Sequence, residues 1–197
     1  MLNRRVSKII LATAVLLPLA GCDTLGFGST APPPPVPPRP LDATSDSLAA
    51  LVFAFDLPAG VQPVEKGMIA HFDVTTSGKG SRRVKAALEL ADGEDVDGGL
   101  PPLPAGHTYY LFGFADKDKA ALIAAQQWLA GLPQSAAPVV AFNVDPKFCQ
   151  IAAIDPTVAS FSVQIVLPAG APLTPLIAAE PLASLAGGGK LAACSAG

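Results

Sequence analysis

The chain has 197 residues, of which 50% are hydrophobic and 15% are charged. Its mean hydropathy of +0.44 excludes a disordered chain, because disordered chains are poor in apolar residues and rich in charge. The length allows one domain with a small appendage, and a formal net charge of −3 argues against a nucleic-acid partner, which would need a basic face.

The first 21 residues have the pattern of a secretory leader. Three basic residues, Arg4, Arg5 and Lys8, precede an apolar run over residues 9–20. This run is shorter than the roughly 20 apolar residues that a stable transmembrane helix needs, so it fits the apolar region of a signal peptide.

The leader ends at Leu19-Ala20-Gly21-Cys22, and this tetrapeptide resembles the lipobox of bacterial lipoproteins. The resemblance implies that residues 1–21 are removed, that the Cys22 thiol is lipidated and that its new amino group is acylated. Several acyl chains on one residue would hold the protein durably at a membrane, whereas one chain binds only marginally. A plain secretory signal with a coincidental Cys at this place is the alternative.

The residue after the predicted lipidation site bears on which membrane holds the anchor. In enteric bacteria, an Asp at the place of Asp23 resembles the signal that keeps lipoproteins in the inner membrane. We therefore expect a lipid-anchored protein of the cell envelope that faces the periplasm, at the inner membrane in preference to the outer membrane.

Residues 22–47 have the composition of a tether that follows the lipidated Cys. The stretch APPPPVPPRP over residues 31–40 favours polyproline II, which would extend it by roughly 31 Å at 3.1 Å per residue. Its PxxP pattern also fits a ligand for an aromatic groove, but a stiff spacer is the simpler interpretation. The globular domain is predicted over residues 48–197.

About six strands are predicted in this domain. Residues 51–57, 68–75, 83–90 and 160–167 alternate between apolar and polar side chains, which is typical of antiparallel strands with one buried face. Residues 108–114 and 139–144 are more uniformly apolar and are expected to be central strands. One helix is predicted between Asp116, as its cap, and Gly131, with Trp128 as a core residue beneath the sheet.

Residues 103–110, Leu-Pro-Ala-Gly-His-Thr-Tyr-Tyr, resemble the P-x-G-x-x-Y turn of immunoglobulin-like and transthyretin-like sandwiches. The resemblance and the alternation together predict a mainly β fold: an antiparallel immunoglobulin-like or transthyretin-like sandwich of about six strands with one α-helix. An α+β fold is the alternative. The last 20 residues, which include Gly187, Gly188 and Gly189, are expected to form a loosely structured tail.

With Cys22 assigned to the anchor, Cys149 and Cys194 are the two remaining thiols. An exported chain enters an oxidising compartment, where an even number of thiols is expected to pair. A structural disulfide is therefore predicted between them, because a metal site would need further ligands and a catalytic thiol would need a His partner.

Motifs of catalysis and cofactor binding are mostly absent from the sequence. It contains no G-x-S-x-G, no H-E-x-x-H and no Walker or Rossmann glycine pattern. Residues 77–81, Ser-Gly-Lys-Gly-Ser, fit a hairpin turn better than a phosphate-binding loop. His71 and Asp73 share one face of a strand, but no nucleophile accompanies them. We predict no catalytic residue and no cofactor.

An acidic, glycine-rich run gives the one weak metal candidate. Oxygen ligands close together suit Ca²⁺, but the spacing does not fit an EF-hand, and a solvated loop explains the run equally well. The candidate ligands are Asp92, Glu94, Asp95 and Asp97.

These observations favour a non-catalytic interaction or structural module that binds another envelope component. The alternative is a periplasmic carrier for a small apolar ligand, with a pocket between sheet and helix lined by Phe112, Phe114 and Trp128. A third possibility is a hydrolase, which would require His71 or His107 to converge with a Ser and an acid in a cleft.

Overall fold

The computed structural model describes residues 37–91, 96, 99–167, 172–185 and 190–194. Nine strands and one α-helix form within these ranges, and short 3-10 turns lie at Leu48–Ala50, Gln134–Ala136 and Leu182–Ser184. In chain order the elements are β1 (Val52–Pro58), β2 (Val61–Pro63), β3 (Ile69–Thr75), β4 (Ser81–Leu90), β5 (His107–Phe114), α1 (Asp116–Ala130), β6 (Val139–Asp145), β7 (Phe148–Gln150), β8 (Ser160–Val166) and β9 (Ile177–Pro181).

Seven of the strands form one sheet in the order β6-β3-β4-β5-β1-β8-β9, and β2 pairs separately with β7. Every one of these pairings is antiparallel. The predicted mainly β, antiparallel, sandwich-like fold with one α-helix is therefore confirmed. The number of strands is higher than about six because β2, β7 and β9 are too short to show a clear alternation.

The sheet curls so that its inner face encloses the core. Three strands lie between β6 and β1 in the sheet, yet the rings of Phe53 and Phe142 stack with their centroids 5.8 Å apart. Phe53 also meets Phe114 edge-to-face at 5.2 Å, and Phe55 meets Phe112 in the same way at 5.4 Å. Such aromatic contacts add to the burial energy of the side chains.

Strand β1 lies at the centre of this core. Large side chains at Phe53, Phe55 and Leu57 point to one face and are fully buried. The other face carries Ala54 and Asp56, which are also buried. The alternation in residues 51–57 predicts one wet face, and that prediction is wrong because β1 is covered on both sides.

The two uniformly apolar segments have different places in the sheet. Strand β5 is central, between β4 and β1, as predicted. Residues 139–144 belong to β6, which is an edge strand, so the prediction of a second central strand is wrong. Val139 and Ala141 occupy exposed positions of β6, where a half-buried strand usually carries polar residues. The segment is therefore uniformly apolar although one of its faces is exposed.

Strands β3 and β4 form a hairpin over the Ser-Gly-Lys-Gly-Ser segment. The Thr76 amide donates to the Gly80 carbonyl at 3.2 Å. Gly78 and Gly80 have φ values of 80° and 88°, a conformation that glycine adopts without the strain other residues would meet. The hairpin interpretation of this segment is confirmed.

The helix α1 packs one face against the sheet. Its buried residues Leu122, Ala125 and Leu129 follow the three-to-four residue spacing of a helix face. Asp116 is the first helical residue and not the cap, and Asp118 accepts a hydrogen bond from the Ala87 amide of β4 at 2.8 Å. Trp128 is half-buried and packs against the core without being enclosed in it, so the prediction of a core residue is met only in part.

Both ends of the described chain are bound to the domain more closely than predicted. The domain begins before residue 48, because Arg39 forms a parallel bridge with Leu173 and Asp46 is buried. At the other end, the prediction of a loose tail is wrong for residues 178–185 and 190–194. Strand β9 lies there, and Leu182 and Leu191 are buried in the core.

The positions of Cys149 and Cys194 agree with the predicted disulfide. Their sulfur atoms are bonded, and their Cα atoms lie 4.9 Å apart, a distance common in disulfides. The Cys194 amide donates to the Gln150 carbonyl, so the C-terminal segment also pairs with β7 through its backbone.

Candidate binding site beside the edge strand

The edge strand β6 has one side without a partner among the described residues. It pairs with β3 over all seven of its residues, and in the described part of the chain no other strand adjoins it. Pro138 and Pro146 bound the strand, and Asp145 is its single charge. Natural edge strands are usually blunted by lysines, internal prolines or bulges, because their free backbone groups can pair with another chain. β6 has none of these protections.

Beside β6 the curled sheet leaves a cavity of about 640 Å³. Val140 and Phe142, on the inner side of β6, form one wall. Phe72 of β3, Leu129 of α1 and Ile165 of β8 are buried and form its floor. Protein sites for small molecules commonly have volumes of about 300–1,000 Å³ and mostly apolar linings.

The opposite rim of the cavity consists of two chain segments, residues 40–44 and 174–176. Arg39 joins them: its amide donates to the Pro172 carbonyl at 3.1 Å, and its carbonyl accepts from the Thr174 amide at 2.8 Å. From α1, Gln126 Nε2 donates to the Ala43 carbonyl at 3.1 Å and also to the Asp46 carbonyl. The rim is therefore fixed to both the helix and the C-terminal part of the chain.

The charges at this rim are predominantly negative. Hydrogen bonds from the Thr44 hydroxyl and amide lower the pKa of Asp42 to about 2. The carboxylate of Asp46 accepts two hydrogen bonds from the Arg39 guanidinium, at 2.7 and 2.6 Å, and these bonds lower the pKa of Asp46. Asp46 and Arg39 neutralise each other, so Asp42 leaves a net negative charge at the rim.

The cavity predicted between sheet and helix is not formed by Phe112, Phe114 and Trp128. Phe112 is fully buried in the core, and Trp128 instead lies under the Arg82 guanidinium, 5.1 Å from its ring centre. Phe114 borders a different pocket of about 460 Å³, whose lining includes Glu89, Asp116 and Lys119. The apolar cavity lies beside β6, and the helix contributes Leu129 to its floor.

Several predicted site residues lie outside the described ranges. These are the predicted lipidation site Cys22 and the candidate calcium ligands Asp92, Glu94, Asp95 and Asp97. Among the residues that the structure does describe, no group of three or more His, Cys, Asp or Glu side chains is placed to hold a metal ion.

The pair His71 and Asp73 lies on the outer face of β3. Asp73 accepts a hydrogen bond at 2.6 Å from Nε of Arg83, its cross-strand partner on β4. The cross-strand partners of His71 are Lys85 and Asn143. The carboxylate that shares the face of His71 is thus engaged by an arginine and not by the imidazole.

His107 meets a buried acid that the sequence analysis did not single out. Its Nδ1 lies 2.6 Å from Oδ1 of Asp56, and the Ser162 hydroxyl donates to Oδ2 of the same carboxylate at 3.4 Å. A Ser, a His and an acid therefore converge, but the carboxylate lies between the other two. A hydrolytic triad places the imidazole in the middle, where it can take the hydroxyl proton. The one available signal was Asp56 itself, a charge within an otherwise apolar strand.

The chain matches no family model, and comparison with curated proteins and with solved structures finds no match. Among the described residues, no helix is both long enough and apolar enough to span a membrane.

Proposed function

We propose that this chain is a lipid-anchored protein of the cell envelope whose domain is non-catalytic and binds another envelope protein. The leader ending in Cys22 supports the anchor, and Asp23 favours the inner membrane with the domain facing the periplasm. The single observation that carries the binding role is the edge of β6 that has no partner among the described residues, an edge seven residues long and with one charge.

An extended segment of a partner can add to β6 as a further strand. Backbone hydrogen bonds along the free edge supply affinity in this mode, and the side chains on either face supply specificity. Val139 is 68% exposed, so the strand presents apolar surface as well as backbone groups. The prolines at 138 and 146 limit the paired length to the strand itself, which favours a short, defined contact.

The arrangement around Asp56 supports a structural role for His107. The imidazole and the Ser162 hydroxyl both bind the carboxylate, which satisfies a buried charge that would otherwise be costly. His107 and Ser162 thus bond to the carboxylate from opposite sides, and this arrangement supports the non-catalytic role proposed here.

Site-directed photo-crosslinking in cells tests the binding role. Benzoylphenylalanine at position 139, on the free edge, is expected to give an adduct of one defined mass. The matched control is position 158, where Val158 is 80% exposed but lies in the turn before β8. The adduct should also weaken in the Cys22→Ser variant, which cannot be lipidated. Equal labelling at both positions, or no adduct at position 139, would refute the proposal.

A further inference from the structure

We propose that the cavity beside β6 binds a single linear alkyl or acyl chain that carries an uncharged head group. This inference goes beyond the proposed function, because the cavity lies on the inner face of β6 whereas a partner strand would add at its edge. The two sites can therefore be tested separately.

The floor of the cavity is already formed before a ligand binds. Phe72, Leu129 and Ile165 are each at most 3% exposed and belong to the packed core. They come from β3, α1 and β8, which the sheet and the helix packing hold in place. A preformed apolar site loses little conformational freedom on binding, so most of the gain from burying an alkyl chain is retained.

The chemistry of the lining favours an alkyl chain over a peptide. Away from the rim, the walls are aromatic and aliphatic, and the polar side chains of the lining are Asp42, Thr44 and Thr174. A peptide that entered the cavity would bury backbone amides and carbonyls, which cost free energy when they lack partners. An alkyl chain has no such groups.

The charge at the rim selects the head group. Asp42 remains ionised at neutral pH, and Asp46 is paired with Arg39, so no uncompensated cation is available among the described lining residues. An anionic head group would be repelled there, whereas an uncharged head group can remain in water at the opening.

Titration calorimetry with alkyl maltosides tests the site, using the mature chain from position 22 with Cys22→Ser. Octyl, decyl and dodecyl maltoside, each below its micelle concentration, should bind with affinity rising about fourfold per added methylene until the cavity is full. Dodecanoate at about pH 8, where its carboxyl group is ionised, should bind at least about tenfold more weakly than dodecyl maltoside. The substitution Asp42→Asn should reduce the difference in affinity between dodecanoate and dodecyl maltoside.

Two substitutions on β6 locate the binding. Val140→Trp points into the cavity and should reduce dodecyl maltoside affinity by about tenfold or more, whereas Val139→Trp on the exposed face should leave it within about twofold. If Val140→Trp does not fold, Leu176→Phe fills the same space from the opposite rim. Circular dichroism and thermal unfolding confirm that each variant is native.

Three results would overturn the proposal. The first is no maltoside binding. The second is an affinity that does not depend on chain length or is equal for dodecanoate. The third is equal binding by the Val139→Trp and Val140→Trp variants. None of these results would affect the crosslink at position 139, so failure here is distinguishable from failure of the proposed function.

Discussion

At the scale of single residues, Asp56 shows how the fold accommodates a charge in its core. The residue is 9% exposed, and its partners His107 and Ser162 come from β5 and β8, the strands on either side of β1. Removing one partner of a buried charge costs more than breaking a surface pair, because the remaining charge stays desolvated. The imidazole at position 107 is therefore expected to stabilise the folded state.

The substitution His107→Ala should lower the free energy of unfolding by about 1–3 kcal/mol. The matched control is His71→Ala, which lies on an outer strand face and should change stability by less than about 0.5 kcal/mol. Urea unfolding of both variants makes the comparison. Similar effects of the two substitutions would show that the contact with Asp56 contributes nothing.

The rim carboxylates make stability depend on pH in a defined direction. Asp42 has a folded-state pKa of about 2 against an ordinary value of 3.8. A lowered pKa contributes stability that is fully present above the unfolded value and is lost as the pH falls through the folded value. Between about pH 4 and pH 2 the wild type should therefore lose more stability than Asp42→Asn in urea unfolding. If the wild type and Asp42→Asn lost the same free energy of unfolding over this pH range, the hydrogen bonds from Thr44 to Asp42 would not contribute to stability.

At the scale of elements, β6 combines two properties that usually exclude each other. It is an edge strand, and it carries apolar residues on its exposed side. Such an edge is prone to pair with other chains unless a binding partner covers it.

Val139→Lys should therefore reduce aggregation on concentration while changing the free energy of unfolding by less than about 0.5 kcal/mol. Val158→Lys is the control, because it adds the same charge at an exposed position in a turn. Aggregation is measured by light scattering at increasing protein concentrations. If both variants reduced aggregation equally, the reduction would be due to the added net charge and not to the position of Val139 on the edge strand.

The disulfide between β7 and the C-terminal segment should stabilise the domain. The two cysteines are separated by 45 positions in the sequence. In the chain-entropy model, closing a loop of that length adds about 4 kcal/mol to the free energy of unfolding. Reduction should lower the melting temperature of the wild type but not that of the Cys149→Ala, Cys194→Ala double variant. Two thiols that react freely in the native protein would show that the bridge is absent.

The elements that the sequence predicted well are those with strong local signals. The β3–β4 hairpin has alternation on both sides of a glycine-rich turn, and α1 has a helical apolar face that ends at Gly131. The place of β6 was mispredicted because an apolar run indicates burial on both faces. Whether a strand has neighbours on both sides depends on strands distant in sequence, so no local pattern reveals it.

At the scale of the whole molecule, the candidate sites depend on the curl of the sheet. The cavity brings together residues 40–44, Leu129 and Ile165. The hydrogen bond between Ser162 and Asp56 joins residues 106 positions apart. Spacing along the chain cannot predict such contacts, because strand order and register create them.

The proposed anchor holds this domain at a membrane through a lipid on Cys22. Mass spectrometry of the N-terminal peptide, from protein extracted from membranes, tests it most directly. We predict a chain that begins at Cys22 and carries a lipid on its thiol and an acyl chain on its amino group, and we expect Cys22→Ser to abolish both modifications. An N-terminal peptide with an unmodified Cys22, or a chain that begins at another residue, would contradict the claim.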